Sequence, residues 1–266
     1  MICGIINIYK EEGYTSHDVV AIVKKIFNGV KTGHTGTLDP MARGVLPVCL
    51  GKATKIADYI QAENKTYMAV MRLGVVTDTE DITGNILKTK NIDDIKKAIL
   101  NSTNNKNDNA VLDKTDSAPQ DKINNTIISA AKCFIGEYMQ TPPMYSAVKV
   151  NGQRLYKAAR AGKSVERPAR KVTIHDIKIV NINFPDVGLL VDCSKGVYIR
   201  ALISDIGEKL GCGACMAALE RTQVGIFSAD DAVTIGKLKE LAAAGKADTV
   251  IINVESVLKS QMKNEK

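Results

Sequence analysis

The stretch Gly33-His34-Thr35-Gly36-Thr37-Leu38-Asp39-Pro40, followed by Met41-Ala42-Arg43-Gly44, constrains this chain more than any other. Its glycines supply backbone freedom that other residues lack. Pro40 disfavours helix at Asp39 and drives that residue toward extended backbone. A carboxylate is therefore expected on a tightly specified turning loop, with His34 five residues before it. Loops with this much specification commonly position functional groups. The plainer reading is a turn aspartate that bonds its own backbone. On this segment alone both readings stand.

The flanking periodicities give the expected elements. Apolar residues 1–9 read as a first strand, too short and too poor in basic residues for a signal peptide. Ser16 is expected to cap a helix over residues 17–28 that stops at Gly29. Residues 45–50 are apolar, 52–62 predict a helix, Lys65 to Leu73 alternates as a strand, and Asp93 to Leu100 predicts a short helix. Asn101 to Asn125 holds seven Asn and four Asp, a composition that predicts a flexible insertion. A helix is expected to resume near Ile127 and run to Phe134. Val172 to Ile179 predicts a strand, and residues 187–193 and 196–199 predict a pair turning at Lys195-Gly196. Arg200 to Leu210, 234–244 and 254–262 predict helices. The mixture implies an α+β fold with a mixed, mainly antiparallel central sheet flanked by helices and loops.

Charge points to a partner. The chain carries a net charge of +7. Lys149, Arg154, Lys157, Arg160, Lys163, Arg167, Arg170 and Lys171 face a single acid, Glu166, so this one segment accounts for the whole excess. A near single-signed run interrupted by Tyr156 suggests a polyanion with stackable bases, although charge runs are often simply solvated. Six cysteines without scaffold spacing suggest reduced thiols and a cytoplasmic setting. No apolar run reaches the length of a membrane helix.

Several chemistries fail on inspection. Cys212-Gly213-Ala214-Cys215 has no second pair to complete a zinc site. Asp78, Glu80 and Asp81 lack the alternation of a calcium loop and read as a polar turn, with Asp81 kept as a substrate contact. Gly51-Lys52 lacks the remainder of a phosphate loop. No metal and no nucleotide cofactor is therefore expected. Tyr198-Ile199-Arg200 is expected to close a strand with Tyr198 and Arg200 on one face, where they could bracket a base; a strand-edge arginine reaching solvent is the alternative.

In combination, these segments resemble the TruB family of bacterial tRNA pseudouridine synthases, which modify the T-loop uridine at position 55 of tRNA. The likeness spans most of residues 3–228. It rests on the Gly33–Pro40 loop, Lys65-Thr66-Tyr67, the Gln140–Lys149 stretch, Cys193 to Arg200, and Leu219 with Arg221. It implies a pseudouridine synthase fold and isomerisation of uridine to its C-glycoside after base flipping. It implies that Asp39 is the catalytic carboxylate, attacking sugar or base or acting as a base. It implies that His34 fills the space the flipped base leaves and that Arg200 pairs with Asp39. Tyr67 stacks on the base and assists proton removal from C5, Tyr198 supports the pocket wall, Leu219 seals it, and Arg221 lies beside the site. Lys149, Arg154, Lys157 and Arg160 are expected on the RNA backbone. The expected partner is the tRNA T-arm, bound by a monomer without cofactor, metal or membrane.

The expected layout is a catalytic domain over residues 1–232 and a helical tail over 233–266, shorter than the RNA-binding (PUA) domain that many family members carry. Three other functions compete. These are guide-RNA-dependent synthesis, tRNA binding or folding that needs no catalysis, and metal-dependent hydrolysis through Asp78, Glu80 and Asp81.

Overall fold

The computed structural model describes residues 2–102, 119–146, 148–150, 152–161 and 165–264. The chain forms two compact units, Met1–Met68 with Leu219–Lys266, and Ala69–Ala218. The first opens with β1 (Gly4–Lys10), α1 (Ser16–Ile26), β2 (Thr32–His34), β3 (Arg43–Leu50), a 3-10 helix (Gly51–Ile56) and α2 (Ala57–Ala62), and β4 (Lys65–Leu73) leads out of it. The second carries β5 (Val75–Thr77), β6 (Ile86–Thr89), α3 (Ile92–Ser102), α4 (Pro119–Lys132), β7 (Gly136–Gln140), β8 (Lys149–Val150), β9 (Gln153–Arg154), α5 (Leu155–Arg160), β10 (Arg170–Asn183), β11 (Asp186–Cys193) and α6 (Ile199–Lys209). Strand β12 (Ala214–Val224) returns the chain to the first unit, which ends with β13 (Phe227–Ser228), β14 (Val233–Thr234), α7 (Ile235–Ala243), a 3-10 turn (Ala247–Val250) and α8 (Val254–Asn264).

In the first unit β1 runs parallel to β14 and antiparallel to β3, from Gly4 opposite Leu50 to Lys10 opposite Gly44. β2 joins β3 with His34 opposite Val48, and β12 joins β3 in parallel with Arg221 opposite Gly44. Strand alternation divides the apolar residues between two faces. Ile6, Ile8, Leu46, Val48 and Leu50 pack with Val19, Val23 and Phe27 of α1 and Ile235 and Leu238 of α7. Ile5, Val45 and Cys49 pack on the other face with Ile60, Val224, Phe227 and Val257. Each such aliphatic side chain contributes about 1.5–3 kcal/mol when fully buried.

In the second unit β10 and β11 form a long antiparallel hairpin, and β7 extends it with Arg170 opposite Gln140. Val172, Ile174, Ile177, Leu189 and Val191 are buried along it. Helix α4 packs on α3, β10 and α6. The observed α+β class, with mainly antiparallel pairing, agrees with the sequence expectation.

Local differences have physical causes. Thr15, not Ser16, caps α1 through a reciprocal pair with Asp18. The 52–62 segment is a 3-10 turn followed by α2 rather than one helix. Residues 119–125 of the expected insertion are helical, because Ile123 and Ile127 supply a buried stripe for α4. Residues 103–118 lie outside the described ones. Residues 196–199 form no strand; β11 pairs with β10 and ends at Cys193. Tyr198 is the N-cap of α6 and Arg200 stands in its first turn, so the two do not share a strand face. Ile199, Leu202, Ile203 and Ile206 are buried at helical spacing, which outweighs the short alternation.

Candidate active site

In the first unit, the loop from His34 to Gly44 is held at almost every peptide. Thr35 donates its N–H to the Pro47 carbonyl at 3.1 Å. The Gly36 N–H donates to His34 Nδ1 at 3.2 Å, and the Gly36 carbonyl accepts from Arg221 Nη2 at 3.2 Å. Ser16 Oγ accepts the Leu38 N–H at 2.9 Å and lies 3.2 Å from the Leu38 carbonyl. The Pro40 carbonyl accepts from the Gly13 N–H at 2.9 Å and from Lys10 Nζ at 3.4 Å. Asp39 closes a turn by accepting the Ala42 N–H at 3.0 Å. The half-buried Asp39 carboxylate is thereby carried on a fixed backbone.

Two buried cations frame this loop. Lys10 and Arg221 lie on β1 and β12 and flank Gly44 of β3. Arg221 also donates from Nε to the Val45 carbonyl at 2.8 Å. A Cβ on Gly44, whose φ is +109°, would stand 2.2 Å from the Arg221 carbonyl, so only glycine fits. Lys10 Nζ also donates to the carbonyls of Tyr14 at 2.7 Å and Glu11 at 3.1 Å. Burial pulls the Lys10 ammonium down to about 8, against the pull of Asp39 and Glu12. At the end of the loop, Arg43 pairs with Glu220 at 2.9 Å, and the Tyr9 hydroxyl donates to the same carboxylate at 2.9 Å. Tyr67 and Leu219 are buried on β4 and β12, and Thr222 Oγ1 donates to the Thr66 carbonyl at 3.2 Å. Expected residues His34, Asp39, Tyr67, Leu219 and Arg221 thus all belong to this unit.

In the second unit the buried Arg200 donates from Nη1 to the Thr79 carbonyl at 2.8 Å and from Nη2 to the Tyr145 carbonyl at 2.9 Å. Its Nη1 lies 3.7 Å from Asp81 Oδ2. Asp81 Oδ1 accepts from the Thr83 N–H at 3.0 Å and from the Thr79 and Thr83 hydroxyls at 2.9 and 2.6 Å. Asp81 and Arg200 therefore come together as one buried pair. Glu80, immediately before Asp81, has a left-handed φ of 64°, and its Oε2 is buried without a hydrogen-bond partner. Burial raises its carboxyl to about 7, although Arg200 and Arg167 pull the other way. Gln140 clamps the Tyr198 backbone, accepting its N–H at 2.8 Å and donating to its carbonyl at 3.0 Å.

Sequence reasoning missed Lys10, the loop role of Ser16, and the burial of Glu80, which reads in the sequence as part of a polar turn. Lys149, Arg154, Lys157 and Arg160 fall on β8, β9 and α5. Among the described residues no group of three His, Cys, Asp or Glu could hold a metal ion, and no helix is long and apolar enough to cross a membrane.

Comparison with known proteins adds the lineage. A family model described as TruB family pseudouridylate synthase (N terminal domain) matches residues 24–111 and 100–199. The tRNA pseudouridylate synthase B C-terminal domain matches residues 200–259. The tRNA pseudouridine synthase B of Clostridium tetani is 44% identical over 237 residues, covering 89% of this chain and 73% of the relative. That of Clostridium perfringens (strain ATCC 13124) is 47% identical over 258 residues, covering 97% and 77%. A crystal structure of a Cbf5-Nop10-Gar1 complex matches with a TM-score of 0.67 and 31% identity, over 97% of this chain and 62% of that one. An H/ACA RNP bound to a substrate RNA containing 2′-deoxyuridine matches with a TM-score of 0.61 and 30% identity, over 92% and 55%.

Proposed function

The chain belongs to the TruB family of pseudouridylate synthases, and from that premise we propose that it isomerises the T-loop uridine of tRNA, position 55, to pseudouridine. The bound uridine is flipped out of its stack. The N1–C1′ bond breaks, the base rotates, C5 bonds to C1′, and the C5 proton leaves to solvent. Asp39 is the carboxylate at the reacting nucleotide. The observation that carries this assignment is the loop, in which Ser16, Lys10, Arg221 and His34 all hold main-chain groups around Asp39. Preorganisation of this kind lowers a barrier because no reorganisation remains at the moment of reaction.

Tyr67 stacks on the base and assists removal of the C5 proton, and Leu219 excludes water. Tyr198 supports the pocket wall, Arg200 serves the substrate-binding site, and Asp81, read from its polar turn, is a substrate contact. Lys149, Arg154, Lys157 and Arg160 contact the RNA backbone of the T-arm. The enzyme acts in the cytoplasm as a monomer, without metal or cofactor.

Tritium release from C5-labelled uridine in an unmodified tRNA transcript tests the reading, with wild type and Asp39→Asn and no guide RNA. Release by wild type alone is expected. Tight tRNA binding without release would replace it with an RNA-folding or a guide-RNA-dependent function.

A further inference from the structure

His34 stands at the end of β2, half-buried, two residues before Gly36. Its Nδ1 accepts the Gly36 N–H, much as an Asx side chain accepts an N–H two residues on. The other end of Gly36, its carbonyl, is held by Arg221. The two peptides that flank Gly36 are thus both held at the entry of the Asp39 loop. An imidazole nitrogen that accepts a hydrogen bond carries no proton, so a neutral ring holds its proton on Nε2. An imidazolium carries protons on both nitrogens and would set Nδ1–H against the Gly36 N–H.

We propose that His34 is a positioning residue which locks the Asp39 loop as the neutral Nε2–H tautomer and releases it on protonation. The proposal rests on Asp39 being the reacting carboxylate.

The surroundings oppose protonation. Burial, the His17 ring and Arg221 all push the His34 pKa below its ordinary value. His17 of α1 meets His34 edge to face, with centroids 5.5 Å apart and planes at 75°. Arg221 of β12 brings a guanidinium charge to bear on it. β3 presents Val48 opposite His34, and Pro47 holds Thr35. The 3-10 helix presents Thr54 toward Gly33. Burial and the Arg221 guanidinium favour the neutral ring, which is the state that holds Gly36.

The test pairs spectroscopy with kinetics on the full chain. Nitrogen-15 NMR of histidine-labelled protein at pH 7.5 should show a neutral Nε2–H ring for the resonance lost in His34→Asn. The amide carbonyl of that Asn occupies the place of Nδ1, whereas Gln at 34 does not. His34→Asn should keep Gly36 amide protection, and the turnover it retains should lose the acid limb of the kcat–pH profile. Both variants lose the ring; beyond that shared loss, His34→Gln should lose the Gly36 protection and have a kcat about tenfold below that of His34→Asn at a similar KM, as one loop hydrogen bond disappears. A ring protonated on Nδ1, an unchanged acid limb in His34→Asn, or equal Gly36 protection in both variants would overturn the lock. Absence of tritium release from wild type, with the tautomer and protection as expected, would overturn the synthase reading instead, because neither NMR arm depends on turnover.

Discussion

Glu80→Gln should stabilise the protein in a strongly pH-dependent way. The Glu80 carboxyl is raised from 4.5 to about 7 by burial, so the folded chain keeps this proton while the unfolded chain loses it. Between those values the unfolded state binds fewer protons, and stability falls as pH rises. At 1.36 kcal/mol per pKa unit, the full cost above pH 7 is about 3 kcal/mol, of which about 2.5 kcal/mol accrues between pH 5 and 8. Its burden is visible in the structure as a buried Oε2 that accepts no hydrogen bond. Glutamine has nearly the same shape and does not titrate. Urea unfolding of wild type and Glu80→Gln at pH 5, 6, 7 and 8 should therefore give two curves that diverge as pH rises, with the variant gaining. Titrations common to both proteins cancel in the difference. Stabilities that stay parallel to within about 0.5 kcal/mol across this range would refute the account, since a carboxylate burdened by burial must leave that signature.

Lys10 should show the opposite sign. Turnover should decline above about pH 8 as the ammonium under Pro40 loses its proton, and Lys10→Arg should carry that limb to higher pH in the tritium assay. Over pH 8 to 10.5, however, the Lys10 contribution to folding stability should rise, because the unfolded chain holds its proton longer there. Ser16→Ala strands the buried Leu38 N–H and should cost about 1–3 kcal/mol in denaturant melts, with faster hydrogen exchange at that amide; unchanged exchange would remove Ser16 from the loop. Neutralising Lys157 and Arg160 should flatten the salt dependence of tRNA binding by roughly one slope unit per lost phosphate contact, and an unaltered slope would take both residues out of the interface.

Where a pattern was local, it was legible. The alternation from Lys65 to Leu73 gave β4 at both ends, because every second residue is buried. The glycines and proline around Asp39 announced a constrained loop, but not what constrains it. Thr15 and Ser16 have equal capping chemistry. What decides between them is the Leu38 backbone, 22 residues away, which takes the Ser16 hydroxyl. Lys10 reads as the exposed polar end of an apolar strand. It becomes buried only when the carbonyls of Glu11, Tyr14 and Pro40 converge on it. Tyr198 to Arg200 is too short for period two to be separated from the start of a helix. Glu80 offers no pattern at all, since its pKa follows from burial in the folded unit.

The division of the first unit along the chain has a consequence for synthesis. Residues 69–218 emerge from the ribosome as one continuous piece, while Met1–Met68 must wait for Leu219–Lys266. At about 5–20 residues per second that wait lasts roughly 10–30 s. Through it, the Asp39 loop lacks the guanidinium that later closes on Gly36 and Val45, and β3 lacks its β12 neighbour. A nascent chain would thus bring its basic β8–α5 segment into solution before the Asp39 loop is closed. Ribosome-bound chains stalled before Arg221 should be inert in the tritium assay, and activity should begin only once β12 has emerged.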